Sequence, residues 1–392
     1  MRKKARIRTL IVLVAAFALV VAACGDDDDT GDTTTTAAET TTTAAAETTT
    51  TAAGETTTSA APTTTAAPDF GVADFNGDGK VIIGVATDGP RDDGAYYQAL
   101  VERVEEISLV AGYEAPIIVD QIDPANSRAE LENLAQQNVD IIAIGSGALA
   151  DGNEDLYLQY EDIFWYCNCG SGLPETPGVL MSQDSGAELQ LSSGYATGLL
   201  LQESGGDSAV FIGCCDLDFE VESFMAFQLG LATVDESYAA TYVPTGNFPF
   251  DFNNTAGATE AYENAVAEGA DAVLPFLGGA HEPIVALANE DGLIVMTAGS
   301  SKGCSRSDLA YDMNVKFDAG DYLVPIFEEI LSGTAQEGTI RRFRVGVDPE
   351  AGAEYCSATP EQIAALDEFN LRIGAGEFDE QIFEILSEAY GF

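Results

Sequence analysis

Residues 81–104 read VIIGVATDGPRDDGAYYQALVERV, and this stretch indicates the fold of the chain. It opens with Val81 to Ala86, an apolar and β-branched run that is typical of a buried strand. A turn rich in glycine and aspartate follows, and from Tyr96 to Leu109 apolar residues recur at helical spacing. A buried strand that leads through a turn into a helix is the first half of a strand–helix–strand unit.

The same alternation continues along the chain. Parallel strands need crossover connections, and the predicted helices supply them, so we expect parallel sheets covered on both faces. The predicted fold class is therefore α/β. The further predicted helices are 128–137, 188–202, 219–234, 255–268, 283–289, 359–373 and 379–390, and the further strands are 139–144, 162–166, 208–213, 239–243, 272–276 and 293–297.

Polar, small and aromatic residues follow the predicted strands, at the carboxyl ends where open parallel sheets bind ligands. The turn after the first strand, the turns at 145–147, 278–281 and 298–302, and the aromatic loop 246–252 all have this character. The candidate ligand-binding residues at these positions are Asp88, Asp92, Tyr96, Tyr97, Gly147, Phe248, Gly278 and His281.

Several of these segments resemble the basic membrane protein family, which includes bacterial purine nucleoside receptors that serve ABC importers. The likeness extends from about Lys80 to Gly346. In that family a strand ends in Thr-Asp, and an Asp-Asp-Lys-Ser-Phe-Asn-Gln segment then opens a helix. The similar segments here are Thr87-Asp88 and residues 92–98 (DDGAYYQ). Residues 246–248 with Asp251 resemble the family's Gly-Ser-Phe/Trp-x-Asp loop, and Gly278-Gly279 resembles its Gly-Gly turn. Val315-Lys316-Phe317-Asp318 resembles its Val-Lys-x-x-Asp region.

The resemblance implies the fold of type I periplasmic binding proteins, two doubly wound lobes joined by three hinge crossings that enclose a ligand. Tyr96 and Phe248 would sandwich a purine ring, and such ring pairs contribute about 0.5–1.5 kcal/mol beyond area burial. Asp88 would accept hydrogen bonds from the ligand, and Lys316 would donate across the cleft. The implied function is capture of a nucleoside or related compound for an ABC permease.

Two departures from the family pattern concern the ligand. Tyr97 replaces the family's asparagine and lacks the paired amide donor and acceptor that suit a base edge. Residues 296–300 read MTAGS where family members carry Gly-Val-Asp-x-Asp, so the acid that binds the sugar is missing. The departures favour a shifted ligand, another small polar or aromatic molecule.

Each candidate residue also has a structural alternative. Tyr96 and Phe248 fit packing residues, and Asp92 with Asp93 fits caps of the following helix. His281 fits the first turn of a helix, and Lys316 fits a structural ion pair. The sequence leaves these alternatives open.

The amino terminus predicts export. Five basic residues precede an apolar run from Leu10 to Val21, and small residues then lead to Cys24. This resembles a bacterial lipoprotein signal, in which Cys24 would receive lipid and anchor the chain on the extracytoplasmic side of the cell membrane. A transmembrane anchor is disfavoured because the run is shorter than the roughly 20 residues of a spanning helix.

The predicted organisation has three parts. Residues 1–23 form the signal peptide, and residues 24–78, rich in Thr, Ala and Asp, form a disordered linker. Residues 79–392 form the ligand-binding domain. We expect lobe 1 at about 79–182 and 300–314, and lobe 2 at about 183–299 and 315–392.

The charge is strongly negative. The formal net charge is −49, and removal of the five basic signal residues takes it to about −54. Nucleic acid and anionic membrane surfaces are therefore poor partners. A salty habitat explains such acidity better than a docking function does.

Six cysteines remain after Cys24, an even number that favours disulfides in an exported protein. Their pairing stays open among 15 connectivities. Metal binding is disfavoured, because the chain has one histidine and no Cys-x-x-Cys. The six are Cys167, Cys169, Cys214, Cys215, Cys304 and Cys356.

The segment Asp74 to Gly79 (DFNGDG) matches the start of a calcium loop, but position 12 is Val85, so a polar turn is the favoured interpretation.

No catalytic motif of the hydrolase, P-loop or zincin type occurs, and we expect neither an enzyme nor a cofactor. The expected protein is a monomeric binding protein. A sugar or amino acid receptor of the same fold, or a sensor lipoprotein for a membrane kinase, is the alternative.

Overall fold

A computed structural model describes residues 71–170, 172–246 and 251–392, in which strands and helices alternate as the sequence predicts. The strands are β1 (Ile83–Ala86), β2 (Ile117–Val119), β3 (Ile141–Ile144), β4 (Phe164–Asn168), β5 (Leu180–Gln183), β6 (Ser208–Gly213), β7 (Ala239–Pro244), β8 (Ala272–Pro275), β9 (Ile294–Val295), β10 (Met313–Lys316), β11 (Ile340–Arg342) and β12 (Gly352–Tyr355). The helices are α1 (Tyr96–Ala111), α2 (Ser127–Ala135), α3 (Gly147–Ala150), α4 (Glu154–Gln159), α5 (Gly186–Ser204), α6 (Asp218–Val234), α7 (Thr255–Glu268), α8 (His281–Asp291), α9 (Ala319–Ser332), α10 (Pro360–Gly374) and α11 (Asp379–Tyr390).

Two parallel sheets organise the fold. The sheet of lobe 1 has the strand order β11-β5-β4-β3-β1-β2, and that of lobe 2 has the order β7-β6-β8-β9. All pairs within both sheets are parallel. β10 pairs antiparallel with β12, and Met313 of β10 forms a parallel bridge to Met296, which attaches this pair to lobe 2. The predicted α/β class is confirmed.

The central strands of each sheet, β1 and β3 in lobe 1 and β6 and β8 in lobe 2, are buried on both faces, which explains why they are almost wholly apolar. In β1, Ile83 and Val85 belong to one hydrophobic cluster of lobe 1 and Ala86 belongs to the other. In β6, Phe211 and Ile212 divide in the same way between the two clusters of lobe 2. Successive side chains of a strand point to opposite faces, so helices must cover both.

The chain passes between the lobes three times, as the resemblance implied. The crossings lie between β5 and α5, between β10 and α9, and between β11 and β12. The hinge segments of these crossings are 183–186, 316–319 and 342–352.

The expected lobe boundaries need a correction at the second crossing. Residues 300–314 lead into β10 and belong to lobe 2, because Met313 bridges to Met296. Helix α9 and β11 belong to lobe 1. There an ideal Cβ on Gly320 would lie 2.4 Å from the Ala99 carbonyl oxygen, so α9 packs closely on α1. Arg103 Nη2 also lies 2.8 Å from Asp321 Oδ1.

The folded part begins before residue 79, where the linker was expected to end. Ala73 is fully buried, and the ring of Phe75 lies 5.4 Å from that of Phe164. The Asn76 N–H donates to Asp140 Oδ1 at 3.3 Å. Residues 71–78 therefore pack on lobe 1. The predicted signal peptide, Cys24 and the remainder of the linker lie outside the described residues.

The segment 74–79 forms the polar turn that leads toward β1. Asp74 accepts hydrogen bonds from the backbone N–H groups of Asp78 and Gly79 at 3.1 and 3.0 Å. Asn138 Nδ2 donates to Asp78 Oδ2 at 2.7 Å. These carboxylates thus stabilise the turn itself. In the described part of the chain no group of three His, Cys, Asp or Glu side chains is placed to hold a metal ion.

The six cysteines lie in three pairs. Cys167 and Cys169 end β4, with Cα atoms 5.2 Å apart, and Cys214 and Cys215 follow β6, with Cα atoms 3.7 Å apart. Cys304 and Cys356, which flank β10 and β12, have Cα atoms 4.8 Å apart. The separations of 5.2 and 4.8 Å lie within the usual disulfide range, and the 3.7 Å between the adjacent cysteines lies below it.

Candidate ligand-binding site

A polar cavity of about 360 Å³ lies between the two lobes. Lobe 1 contributes the turn before α1 and the first part of that helix, and lobe 2 contributes the start of α8 and the segment 297–311. The cavity therefore forms only where the two lobes meet. Its lining residues are Asp92, Gly94, Ala95, Gln98, Ala99, Glu102, His281, Glu282, Thr297, Ala298, Ser300, Lys302, Gly303, Arg306 and Tyr311.

The start of α1 is fixed by Asp93. This carboxylate is 5% exposed and accepts hydrogen bonds from the backbone N–H groups of Ala95, Tyr97 and Gln98 at 3.0 to 3.3 Å. Its neighbour Asp92 is exposed and lines the cavity. The capping role predicted for the pair therefore falls to Asp93, and Asp92 faces the candidate site.

An ion pair joins the lobes at the cavity. Lys302 Nζ of lobe 2 donates to Glu102 Oε2 of lobe 1 at 2.5 Å, and Gln98 Nε2 donates to Glu102 Oε1 at 2.7 Å. The bond from Lys302 is the largest cause of a lowered Glu102 pKa, followed by that from Gln98. Glu102 is thus held ionised by groups from both lobes.

A second charged group lines the lobe 2 side. Arg306 donates from Nη1 to Glu282 at 2.6 Å and from Nε and Nη2 to Asp308 at 2.7 and 2.6 Å. The guanidinium lowers the pKa of Asp308 to about 2. Glu282 also reaches lobe 1, since an ideal Cβ on Gly94 would lie 2.7 Å from Glu282 Oε1. Gly94, with φ of +74°, therefore suits both the turn and this close approach.

His281 lines the cavity but has partners at both ring nitrogens. Nδ1 lies 2.7 Å from the Pro275 carbonyl oxygen and Nε2 lies 3.3 Å from Tyr311 Oη. Burial lowers the pKa of His281, which favours the neutral ring. A neutral ring that donates to Pro275 accepts at Nε2. The structure thus favours a structural role for His281 over donation to a ligand.

Asp88, Tyr97 and the turn before α3 come together at the strand ends of lobe 1. Tyr97 Oη donates to Asp88 Oδ1 at 2.5 Å, and Ser146 Oγ donates to Asp88 Oδ2 at 2.9 Å. The same Ser146 oxygen caps α3, which begins at Gly147. Asp88 and Gly147 were both candidate residues at strand ends. It missed the Tyr97 hydroxyl as a partner of Asp88.

Tyr96 lies at the junction of the lobes. Its hydroxyl donates to the Asn168 carbonyl oxygen at 3.2 Å, and its ring lies 6.4 Å from that of Phe317. Phe317 in turn lies 5.8 Å from Phe276 of lobe 2. An aromatic row thus continues from lobe 1 into lobe 2. Phe248, the expected second ring of the sandwich, lies outside the described residues.

Lys316 is engaged by lobe 2. Its Nζ donates to the Pro349 carbonyl oxygen at 2.7 Å and lies 3.7 Å from Glu354 Oε2. These partners favour the structural ion-pair alternative. Gly278 contributes a backbone hydrogen bond. Its N–H donates to the Phe252 carbonyl oxygen at 3.1 Å and thereby joins the turn before α8 to the segment before α7.

A group that the sequence interpretation missed lies at the first crossing. Burial raises the pKa of Asp184 to about 6. Nearby, Ser182 donates to Asn168 Oδ1 at 2.7 Å, while Asn168 Nδ2 is buried without a partner among the described residues. Strand β5, which carries Ser182 and leads to Asp184, was not predicted. Assignment of residues 180–183 as a strand would have placed Asp184 at the end of a strand, among the candidate positions.

Comparison with known proteins supports the fold. No family model and no curated protein matches the chain. Among solved structures it is similar to an ABC transporter system solute-binding protein from Conexibacter woesei DSM 14684, with 17% identity, coverage of 76% of this chain and 97% of that one, and a TM-score of 0.58. A solute-binding protein of an ABC transporter system from Aeropyrum pernix K1 shows 12% identity, coverage of 79% and 92%, and a TM-score of 0.57. A transcriptional activator of the comK gene from Bacillus halodurans shows 15% identity, coverage of 74% and 96%, and a TM-score of 0.58.

These similarities confirm a fold of the periplasmic binding protein type. Because ABC solute-binding proteins and a transcriptional activator share it, fold alone does not assign function. Across the described ranges, no helix has the length and apolar character that a membrane span requires.

Proposed function

We propose that the protein is a solute-binding protein that encloses one small polar molecule between its two lobes and catalyses no reaction. The observation that carries this proposal is the cavity whose wall comes from both lobes, about 360 Å³ in volume. That volume lies in the usual range for small-molecule sites. Ligand drives closure by binding the closed arrangement more tightly than the open one.

The proposed ligand class is a nucleoside or a related compound. The resemblance to the basic membrane protein family supports this class through Asp88, the segment 92–98 and the Gly278-Gly279 turn. The half-buried Tyr96 ring at the lobe junction also supports it, because aromatic rings bind planar heterocycles. The polar lining favours a molecule with hydroxyl or amino groups, so a sugar or amino acid is the second candidate.

The proposed place of action is the extracytoplasmic face of the cell membrane. Cys24 would carry the lipid anchor, and an ABC permease would receive the solute from the closed, monomeric protein. The lipoprotein-like signal supports the location, and the fold shared with ABC solute-binding proteins is compatible with import. A sensor that reports to a membrane kinase would use the same closure.

The proposed disulfides fit this location. We assign Cys304–Cys356, Cys167–Cys169 and Cys214–Cys215, on the basis of the observed proximity of each pair. Disulfides persist in oxidising compartments and are rare in the cytosol.

A thermal-shift screen of the purified full-length chain tests the proposed function. The probes are purine and pyrimidine nucleosides, free bases, sugars and amino acids, because a ligand that binds the native state raises the melting temperature. A shift with one class supports the proposal and identifies the ligand class. The absence of a shift with every probe contradicts it.

A further inference from the structure

More acidic than basic side chains line the interlobe cavity. Three carboxylates line it, those of Asp92, Glu102 and Glu282, against the two cationic groups of Lys302 and Arg306. His281, which also lines the cavity, has a pKa lowered by burial, and the Tyr311 hydroxyl has a raised pKa, so both favour the neutral form. The lining therefore carries a net negative charge at neutral pH.

Both cationic groups are already paired with carboxylates of the protein. Lys302 Nζ lies 2.5 Å from Glu102 Oε2. Arg306 contacts Glu282 through Nη1 at 2.6 Å, and its Nε and Nη2 contact both oxygens of Asp308. An anionic ligand would have to replace these partners and leave carboxylates unpaired.

The helix amino termini beside the cavity do not offset this negative charge. The amino terminus of α1 would attract an anion, but its N–H groups at Ala95, Tyr97 and Gln98 donate to Asp93. The Gly94 N–H donates to Gln98 Oε1 at 3.0 Å. In α8 the carboxylate of Glu282 lies in the first turn, next to the positive end of the helix.

Asp92 differs from the other two carboxylates of the lining. No lysine or arginine nitrogen of the described residues lies within 4.0 Å of it, and the neighbouring Arg91 pairs with Asp120 at 2.7 Å. From these pairings we infer that the cavity takes a cationic, amine-bearing solute, which Asp92 would neutralise, and rejects anionic ones. This inference rests on the proposed function and specifies the charge class of its ligand.

Matched ligands that differ in charge test the inference. One set is adenosine, 5′-amino-5′-deoxyadenosine and adenosine 5′-monophosphate, and another is glucose, glucosamine and glucose 6-phosphate. Calorimetric titration of the full-length chain measures each Kd at low ionic strength, where surface charge is least screened. In a set that binds, we expect the amine to bind most tightly and the phosphate at least about tenfold more weakly than the neutral compound.

Two variants identify the residues responsible. Asp92→Asn should weaken binding of the amine severalfold more than it weakens binding of the neutral compound. Glu102→Gln frees Lys302 from its partner and should narrow the difference between the phosphate and the neutral compound. Glu105→Gln is the matched control, because Glu105 is exposed on the same helix and does not line the cavity.

Each outcome of these titrations is informative. Phosphate binding as tight as neutral binding, or an amine that binds no tighter than its neutral counterpart, overturns the inference and leaves the solute-binding function standing. An Asp92→Asn variant with unchanged amine affinity also overturns it. Failure of every probe in both sets overturns the inference, and the proposed function fails only if the thermal-shift screen, which also contains free bases and amino acids, finds no ligand either.

Discussion

Lys302 of lobe 2 and Glu102 of lobe 1 form an ion pair across the cleft, with Nζ 2.5 Å from Oε2. The side chains are 48% and 42% exposed, so the pair contributes about 0–1 kcal/mol to stability. Because its partners belong to different lobes, the pair forms only in the closed arrangement. Its effect should therefore appear in lobe closure more than in the free energy of unfolding.

Replacement of Lys302 by alanine should shift the population toward open lobes. We expect small-angle X-ray scattering to show a larger radius of gyration, while the free energy of unfolding changes by less than about 1 kcal/mol. Lys80→Ala is the control, since Lys80 pairs with Glu114 within lobe 1. Equal radii for the two variants would refute a role of Lys302 in closure.

The neighbours Asp92 and Asp93 should differ sharply on substitution. Asp93→Ala removes the acceptor of three backbone N–H groups at the start of α1 and should lower the free energy of unfolding by about 1–2 kcal/mol. Asp92→Ala should change it by less than about 0.5 kcal/mol, because Asp92 is exposed. Urea unfolding of both variants measures the difference, and similar losses would argue against the assigned cap.

Asp184 should make stability depend on pH. Burial raises its pKa from 3.8 to about 6, so the folded state favours the protonated carboxyl. That contribution is complete below about pH 4 and is lost as pH rises through 6. Asp184→Asn stays neutral and should be more stable than the parent at pH 7.5 by about 1–2 kcal/mol, with allowance for partial exposure.

The advantage of Asp184→Asn should disappear toward pH 4.5. Thermal unfolding across that pH range, with the exposed Asp162→Asn as control, measures it. A constant difference from the parent at all pH values would show that ionisation of Asp184 is not the cause.

Loss of the Cys304–Cys356 bond should destabilise lobe 2. The two residues are 52 positions apart, and a disulfide that closes a loop of that size contributes about 3–4 kcal/mol on the chain-entropy model. Cys304→Ser should therefore lower the free energy of unfolding by up to that amount. Cys214→Ser is the control, because adjacent cysteines close almost no loop. Six free thiols in the purified unreduced protein would exclude all three assigned bonds.

The sequence predicted most elements of the fold but misplaced the lobe boundaries after residue 299, because residues 300–314 belong to lobe 2 and helix α9 with strand β11 belongs to lobe 1. Helices α7 and α11 and strand β6 have the predicted bounds, and α1 begins at the predicted Tyr96. Helix α9 was missed, and it contains Pro325, which disfavours a helix interior. Its place in lobe 1 follows from contact of Gly320 with α1, a contact between distant parts of the chain.

The sequence likewise predicted some parts of the candidate site and missed others. The turns after β1 and β3 were located, and the structure brings Asp88 and Ser146 to 2.9 Å. The charged residues Glu102 and Arg306 went unnoticed, because neither belongs to a motif, and Lys302 was included only as the last residue of the turn 298–302. Asp184 was missed because its short preceding strand carries no clear period.

The sequence by itself determined the α/β class, most helices and strands, and the polar character of the strand ends. Those features depend on periodicity and turn chemistry among neighbouring residues. Tertiary structure alone decided which lobe each later segment joins, which carboxylates are paired, and which face the cavity. Glu102 and Lys302 are 200 residues apart, and only the packing of two lobes around three crossings brings their charges together.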